Sequence, residues 1–124
     1  MMEGSKKFSF AERVRSFRYA IAGIRKYMGS GHNAILHLAA TLAVLLLTLL
    51  LKVSLAEAAA LTIVIGFVWV AEMFNTCVEK IMDFISLERD PRIQFIKDVS
   101  AGAVLVGSVT AFIIGLFIFI PKFL

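Results

Sequence analysis

A polar stripe runs through a segment of membrane length, and nothing else in this chain constrains it so tightly. The segment Leu61–Phe84 reads LTIVIGFVWVAEMFNTCVEKIMDF. Within it Glu72, Asn75, Glu79 and Asp83 stand three or four residues apart, so a helix places them close to one face. A charged side chain at the centre of a bilayer costs about 3 kcal/mol even on the most lenient insertion scales. A helix with three carboxylates in one stripe cannot turn that stripe toward lipid. It must face protein, water or a cation, and it marks the candidate functional site.

The apolar residues around the stripe fall in blocks. Three of them, Ala34–Val53, Ala58–Lys80 and Val99–Ile120, approach or exceed the roughly 20 residues a spanning helix needs. Hydrophobic residues make up 60% of the 124, too many for an ordinary soluble domain. The expected fold is therefore an all-α membrane protein in one domain, with three transmembrane helices. No block reads as a signal peptide, because a long basic segment precedes the first and no small-residue cleavage site follows. The single cysteine, Cys77, excludes an intrachain disulfide and is expected to pack as a small hydrophobe.

Charge asymmetry orients the spans. Lys6, Lys7, Arg13, Arg15, Arg18, Arg25 and Lys26 precede the first, and Arg89, Arg92 and Lys97 cluster in or beside the second connection. The first connection and the C-terminal end hold only Lys52 and Lys122. The positive-inside rule then places the N-terminus in the cytoplasm and the C-terminus outside, in a multi-pass protein of the inner (cytoplasmic) membrane. Basic residues beside a membrane point to anionic headgroups, and no nucleic-acid partner is expected.

Met1–Lys7 is expected to fray. Phe8–Met28 reads as an amphipathic helix in the interface, with Phe10, Val14, Phe17, Ile21 and Ile24 recurring every three or four residues among arginines. Arg15 and Arg18 are candidate lipid contacts on it, and Asn33 is a further one that also suits the cap of the next helix. Ser54 and Glu57 have the spacing of a capping box before the second span. Pro91 argues against a continuous helix through the second connection, the third span is expected to start near Lys97-Asp98, and Pro121 is expected to end it. Gly102, Gly107 and Ser108 are small enough for close helix contact.

The second connection gathers Glu79, Asp83, Glu88, Asp90 and Asp98 with Lys80, Arg89, Arg92 and Lys97. Carboxylates and cations mixed at a membrane surface suit a metal-bound phosphate, since Mg²⁺ takes one or two carboxylates and completes its octahedron with phosphates and water. Lys97 fits a phosphate as a point charge. Glu72 lies about 10 Å deeper by helix rise, where a carboxylate could act as general base on a lipid hydroxyl. No P-loop and no soluble-kinase motif is present, so any ATP site is unconventional. On the residues alone, carboxylates that only join helices or serve a proton path remain open alternatives.

Three segments resemble one family. Ala71–Asp83, AEMFNTCVEKIMD, resembles the E-x-x-N-[ST]-x-x-E-x-x-x-D signature of the small prokaryotic integral-membrane diacylglycerol and undecaprenol kinases. Lys97–Leu105, KDVSAGAVL, resembles their K-D-x-x-[AS]-[AG]-A-V-L element, and Phe17–Gly23 their F-x-x-A-x-x-G pattern. The resemblance implies a three-span homotrimer with shared sites, phosphorylating a membrane lipid hydroxyl with ATP and Mg²⁺. By match, Glu72 takes the catalytic position and Glu79 a metal position, with Asn75 and Asp83 completing the stripe. Lys97 and Asp98 would face the nucleotide, with Glu88, Arg89, Asp90 and Tyr19 as further ATP contacts.

The resemblance breaks before the first span. Where the family has E-x-N-x-R-I-H, this chain has Gly31-His32-Asn33-Ala34-Ile35-Leu36-His37, so Gly31 and Ile35 replace a glutamate and an arginine. Two alternatives to an active kinase therefore stand: a degenerate member with weak or no activity, and a small proton-coupled transporter. His32 is read as a solvated loop residue, His37 as hydrogen-bonded locally, and Trp69 as a packing or interface anchor.

Overall fold

The computed structural model describes residues 7–124. Their regular structure is entirely helical: α1 (Phe10–Met28), α2 (His32–Leu50), α3 (Leu55–Ile85) and α4 (Pro91–Phe123). The last three are long and apolar enough to cross a membrane. Residues 1–6, within the stretch expected to fray, lie outside the described residues. The chain divides into two compact units at Ile35–Leu36.

In the first unit, Ser9 caps α1 by accepting the Glu12 N–H at 3.3 Å. Arg25 and Lys26 occupy the last turn, where cations complement the helix dipole. The chain leaves α1 at Gly29, and the Ser30 hydroxyl donates to the Tyr27 carbonyl at 2.6 Å. Phe10, Val14, Phe17, Ile21 and Ile24 are all exposed. One expectation is corrected here: the next helix begins at His32, so Asn33 sits inside its first turn rather than capping it.

In the second unit, the predicted capping box forms. Ser54 Oγ accepts the Glu57 N–H at 3.1 Å and Glu57 Oε1 accepts the Ser54 N–H at 3.0 Å. From there α3 runs 31 residues, about 46 Å, without a break. It outruns the expected Ala58–Lys80 at both ends, because the cap sets its start and no helix breaker intervenes before Ser86. The chain does break at residues 86–90, and Asp90 then caps α4 with Pro91 in the first turn, where a missing N–H costs nothing. The third span thus starts a turn and a half before Lys97. Nor does Pro121 end it. The helix continues to Phe123, and Lys122 Nζ fastens that end by donating to the Lys52 carbonyl at 2.9 Å and to Glu57 Oε1 at 3.1 Å.

The best-buried packing lies near this same end, where Leu61, Ile118 and Phe119 gather Val44, Leu47, Ile65 and Ile114 around them. Midway along, Gly107 is buried, and a Cβ placed there would meet the Phe67 ring at 3.4 Å. Of the small residues singled out, Gly107 therefore provides the close approach of α3 and α4. A Cβ on Gly102 would meet nothing within 4 Å.

Candidate functional site

The stripe of α3 divides into a buried inner part and an exposed end. Glu72 is 7% exposed, the one charged residue buried among the described residues. Counted from Leu55, it lies about 26 Å along the helix, Glu79 about 36 Å and Asp83 about 42 Å. Against a hydrocarbon thickness of roughly 30 Å, a helix upright from its capped end puts Glu72 just inside one boundary and the other two beyond it.

Glu72 is held by a residue of α2. His37 Nε2 and Glu72 Oε1 stand 2.6 Å apart. This corrects the sequence reading of His37, whose side chain reaches 35 residues along the chain rather than bonding locally. A second bridge lies one turn away. The Trp69 indole N–H donates to Thr41 Oγ1 at 2.9 Å, and the Thr41 hydroxyl donates to the His37 carbonyl at 2.7 Å. The His37 and Trp69 rings are tilted by 59° with centroids 6.3 Å apart. Trp69 is thus a polar anchor between helices as well as a packing residue. Sequence reasoning missed this set, although the four-residue step His37–Thr41 and the three-residue step Trp69–Glu72 each put a polar pair on one helix face.

Next along α3, Asn75 Nδ2 donates to Glu79 Oε1 at 3.3 Å, while the Asn75 Oδ1 is buried with no hydrogen-bond partner. A buried acceptor of this kind invites an explanation. The exposed Glu79 carboxylate, steadied by the Asn75 amide nitrogen, suits a hard cation that takes further ligands from phosphate and water. No group of three His, Cys, Asp or Glu gathers among the described residues, so the protein itself offers such an ion few ligands. Cys77, expected to pack as a small hydrophobe, is instead exposed on the same stretch.

At the end of the stripe Lys97 of α4 donates to Asp83 Oδ1 at 2.6 Å, which brings the two resembling segments together. Asp98 is exposed and accepts from Gln94 at 2.8 Å. Glu88 and Arg89 lie exposed in the turn. Asp90 accepts the Arg92 N–H at 2.8 Å and its guanidinium at 2.8 and 3.1 Å. Those bonds, the guanidinium's first and the amide's second, hold its carboxyl below the usual carboxylate range. In the other unit Tyr19, Arg15 and Arg18 are exposed on α1, Asn33 is exposed in α2, and Gly31 lies in the turn with open space beside its Cα.

Below His37, α2, α3 and α4 enclose an apolar cleft of about 420 Å³. His37, Thr41, Trp69 and Ser108 supply its polar lining, and Val44, Leu61, Phe112 and Phe119 are among its apolar walls.

The geometry is that of a buried acid below a charged surface, and comparison with known proteins gives it a family. The family model for prokaryotic diacylglycerol kinase matches residues 18–119. The chain belongs to the prokaryotic diacylglycerol kinase family. It is 37% identical over 108 residues to the undecaprenol kinase of Bacillus subtilis (strain 168), covering 87% of this chain and 88% of that protein. It is 30% identical over 110 residues to the diacylglycerol kinase of Synechocystis sp., covering 88% of this chain and 63% of that one. Membership makes this a lipid kinase family protein of the membrane. A kinase needs a nucleotide co-substrate as phosphoryl donor, and the mixed charges around Lys97 are where the sequence expects it.

Proposed function

We propose that this protein transfers the terminal phosphoryl group of ATP to the hydroxyl of a membrane lipid, undecaprenol or diacylglycerol, at the cytoplasmic face of the inner membrane. One observation carries the reading: a buried carboxylate, Glu72, stands about two helical turns below the acidic and basic groups at the end of the same unbroken helix. A lipid hydroxyl and a nucleotide approach from opposite sides of the membrane boundary, and one rod offers each of them its partner. The closer and more complete match to an undecaprenol kinase favours undecaprenol as acceptor.

In this reading Glu72 takes the proton of the lipid hydroxyl. The freed oxygen forms a bond to the terminal phosphorus of ATP as that phosphorus parts from its bridging oxygen, leaving ADP. Glu79, steadied by Asn75, would hold Mg²⁺, which when bound would supply charge neutralisation for the phosphates. Lys97, kept in place by Asp83, meets a phosphate directly. Asp98, Glu88, Arg89, Asp90 and Tyr19 border the nucleotide, and Arg15, Arg18 and Asn33 meet headgroups. Phosphoryl transfer is mostly positioning and charge neutralisation, so a site with this few groups suffices. The whole chain acts as one domain, with α1 lying in the interface. The N-terminus is cytoplasmic and the C-terminus outside, as the basic residues direct. The homotrimer rests on the family resemblance, and other copies would shelter the polar face of α3.

The test is phosphate transfer from radiolabelled ATP to a panel of lipids in mixed micelles, with and without Mg²⁺. Labelled undecaprenyl or diacylglyceryl phosphate should appear only with Mg²⁺. Glu72→Gln should remove most turnover, by about 10² or more for a lost general base, while the protein still assembles. A Glu72→Gln variant with native turnover would refute the assignment. Flux of protons in liposomes that depends on Glu72 and ignores ATP would replace the kinase by a transporter.

A further inference from the structure

A carboxylate that serves as a base must present a free lone pair at a fixed place. Glu72 has two oxygens, and the structure occupies one of them: Oε1 stands 2.6 Å from His37 Nε2. The imidazole is itself steered. Its ring packs obliquely beside Trp69, and its backbone carbonyl accepts from Thr41, which in turn accepts from the Trp69 indole. Trp69 and Glu72 stand one turn apart on α3, and His37 and Thr41 one turn apart on α2. Two parallel bridges of this kind fix the rotation of one helix against the other, and with it the position from which the ring reaches Glu72. Hydrogen bonds between membrane helices average only about 0.6 kcal/mol, which makes helix adhesion a weak reason for so ordered a set.

We infer that His37 is a positioning residue for the transfer: its Nε2–H donates to Glu72 Oε1 and leaves Oε2 as the oxygen that receives the acceptor's proton. The inference rests on the assignment of Glu72 as base. It also fixes a tautomer, because an N–H at Nε2 puts the bare nitrogen at Nδ1. The logic is that of a nucleophile, base and orienting group, with histidine as the orienting member and the carboxylate as base.

The experiment compares wild type with H37L, H37Q, E72Q and H37L/E72Q in micelles, measuring kcat and KM for ATP and for the lipid. Misplacing a reacting group by an ångström costs about 100-fold, so H37L should lose kcat on that scale with KM for ATP unchanged. H37Q, whose amide can still donate, should recover most of the loss, and the double variant should be no slower than E72Q. A second readout needs no turnover. Nitrogen-15 NMR of the two histidines, assigned through a His32 variant, should show His37 protonated at Nε2, with a shift that moves in E72Q. Native kcat in H37L beside a dead E72Q overturns the inference and leaves the kinase reading intact. So does a His37 protonated at Nδ1, or a loss in H37L that appears in KM or assembly and is not restored by glutamine. An active E72Q overturns the assignment of Glu72 and this inference with it.

Discussion

Gly107 provides a test of packing that is independent of chemistry. It is buried where α4 crosses α3, and an added Cβ would stand 3.4 and 3.5 Å from two carbons of the Phe67 ring and 3.9 Å from a Val68 methyl. Those are ordinary contact distances, so Gly107→Ala fits, and it gains up to about 1 kcal/mol in helix propensity. Any atom beyond Cβ has no such room. The γ-carbons of Gly107→Val must push the ring or part the helices, an overpacking that costs about 1–3 kcal/mol. At Gly102, where a Cβ meets nothing within 4 Å, the same valine should gain a few tenths of a kcal/mol, since valine is a better helix former than glycine. The assay is unfolding by sodium dodecyl sulfate titrated into neutral micelles, followed by helical circular dichroism. The fluorescence of the single tryptophan, Trp69, one residue from Val68, gives a local signal. The expected order is Gly107→Ala and Gly102→Val at or above wild type, and Gly107→Val lowest. Equal stability of the two valine variants, or a Gly107→Ala loss above about 1 kcal/mol, would refute the close approach of α3 and α4 at Gly107.

Two further outcomes follow from the charged end. Lys97→Met should change stability by less than about 1 kcal/mol, because its pair with Asp83 is largely exposed, yet a charge-assisted bond to phosphate is worth about 1.5–3 kcal/mol, so KM for ATP should rise roughly 10- to 100-fold in steady-state assays. Asp90 has its carboxyl held low by Arg92, so its contribution to the start of α4 is present above the carboxyl's unfolded value and is lost as pH falls through the lowered folded one; amide protection at residues 92–94, exchange measured relative to its intrinsic rate at each pH, should fall only in that acid range, and should show no such fall in Asp90→Asn.

Much of this architecture was legible in the sequence because membrane constraints are blunt. A run of about 20 apolar residues has few alternatives, and the Ser54–Glu57 spacing names its own helix start. The ends were less legible. Pro121 breaks a helix in isolation, but a proline in the last turn sacrifices one backbone bond, and the Lys122 clasp to Lys52 and Glu57 spans 70 and 65 residues in sequence. The cap expected at Asn33 was misplaced by two residues, because a helix beginning at His32 has its cap position at Gly31 and a helix start can shift along a polar run. The stripe itself was plain, since periodicity places side chains on a face of their own helix. What stands across from that face is a tertiary fact, and neither His37 nor Thr41 carries a local mark of its partner. The family resemblance could point to Glu72 and Glu79, but not to the imidazole against Glu72.

The uninterrupted course of α3 from Leu55 to Ile85 has a kinetic corollary. Many phosphotransferases bring donor and acceptor together by closing one lobe over another. Under the proposed function, the depth of Glu72 and the height of the charged end are graduations on a single stiff ruler, and thermal motion can slide that ruler in the bilayer but cannot change the interval between its marks. Under that reading, the exchange of lipid and nucleotide around the rod, rather than a closing motion, is expected to set the tempo.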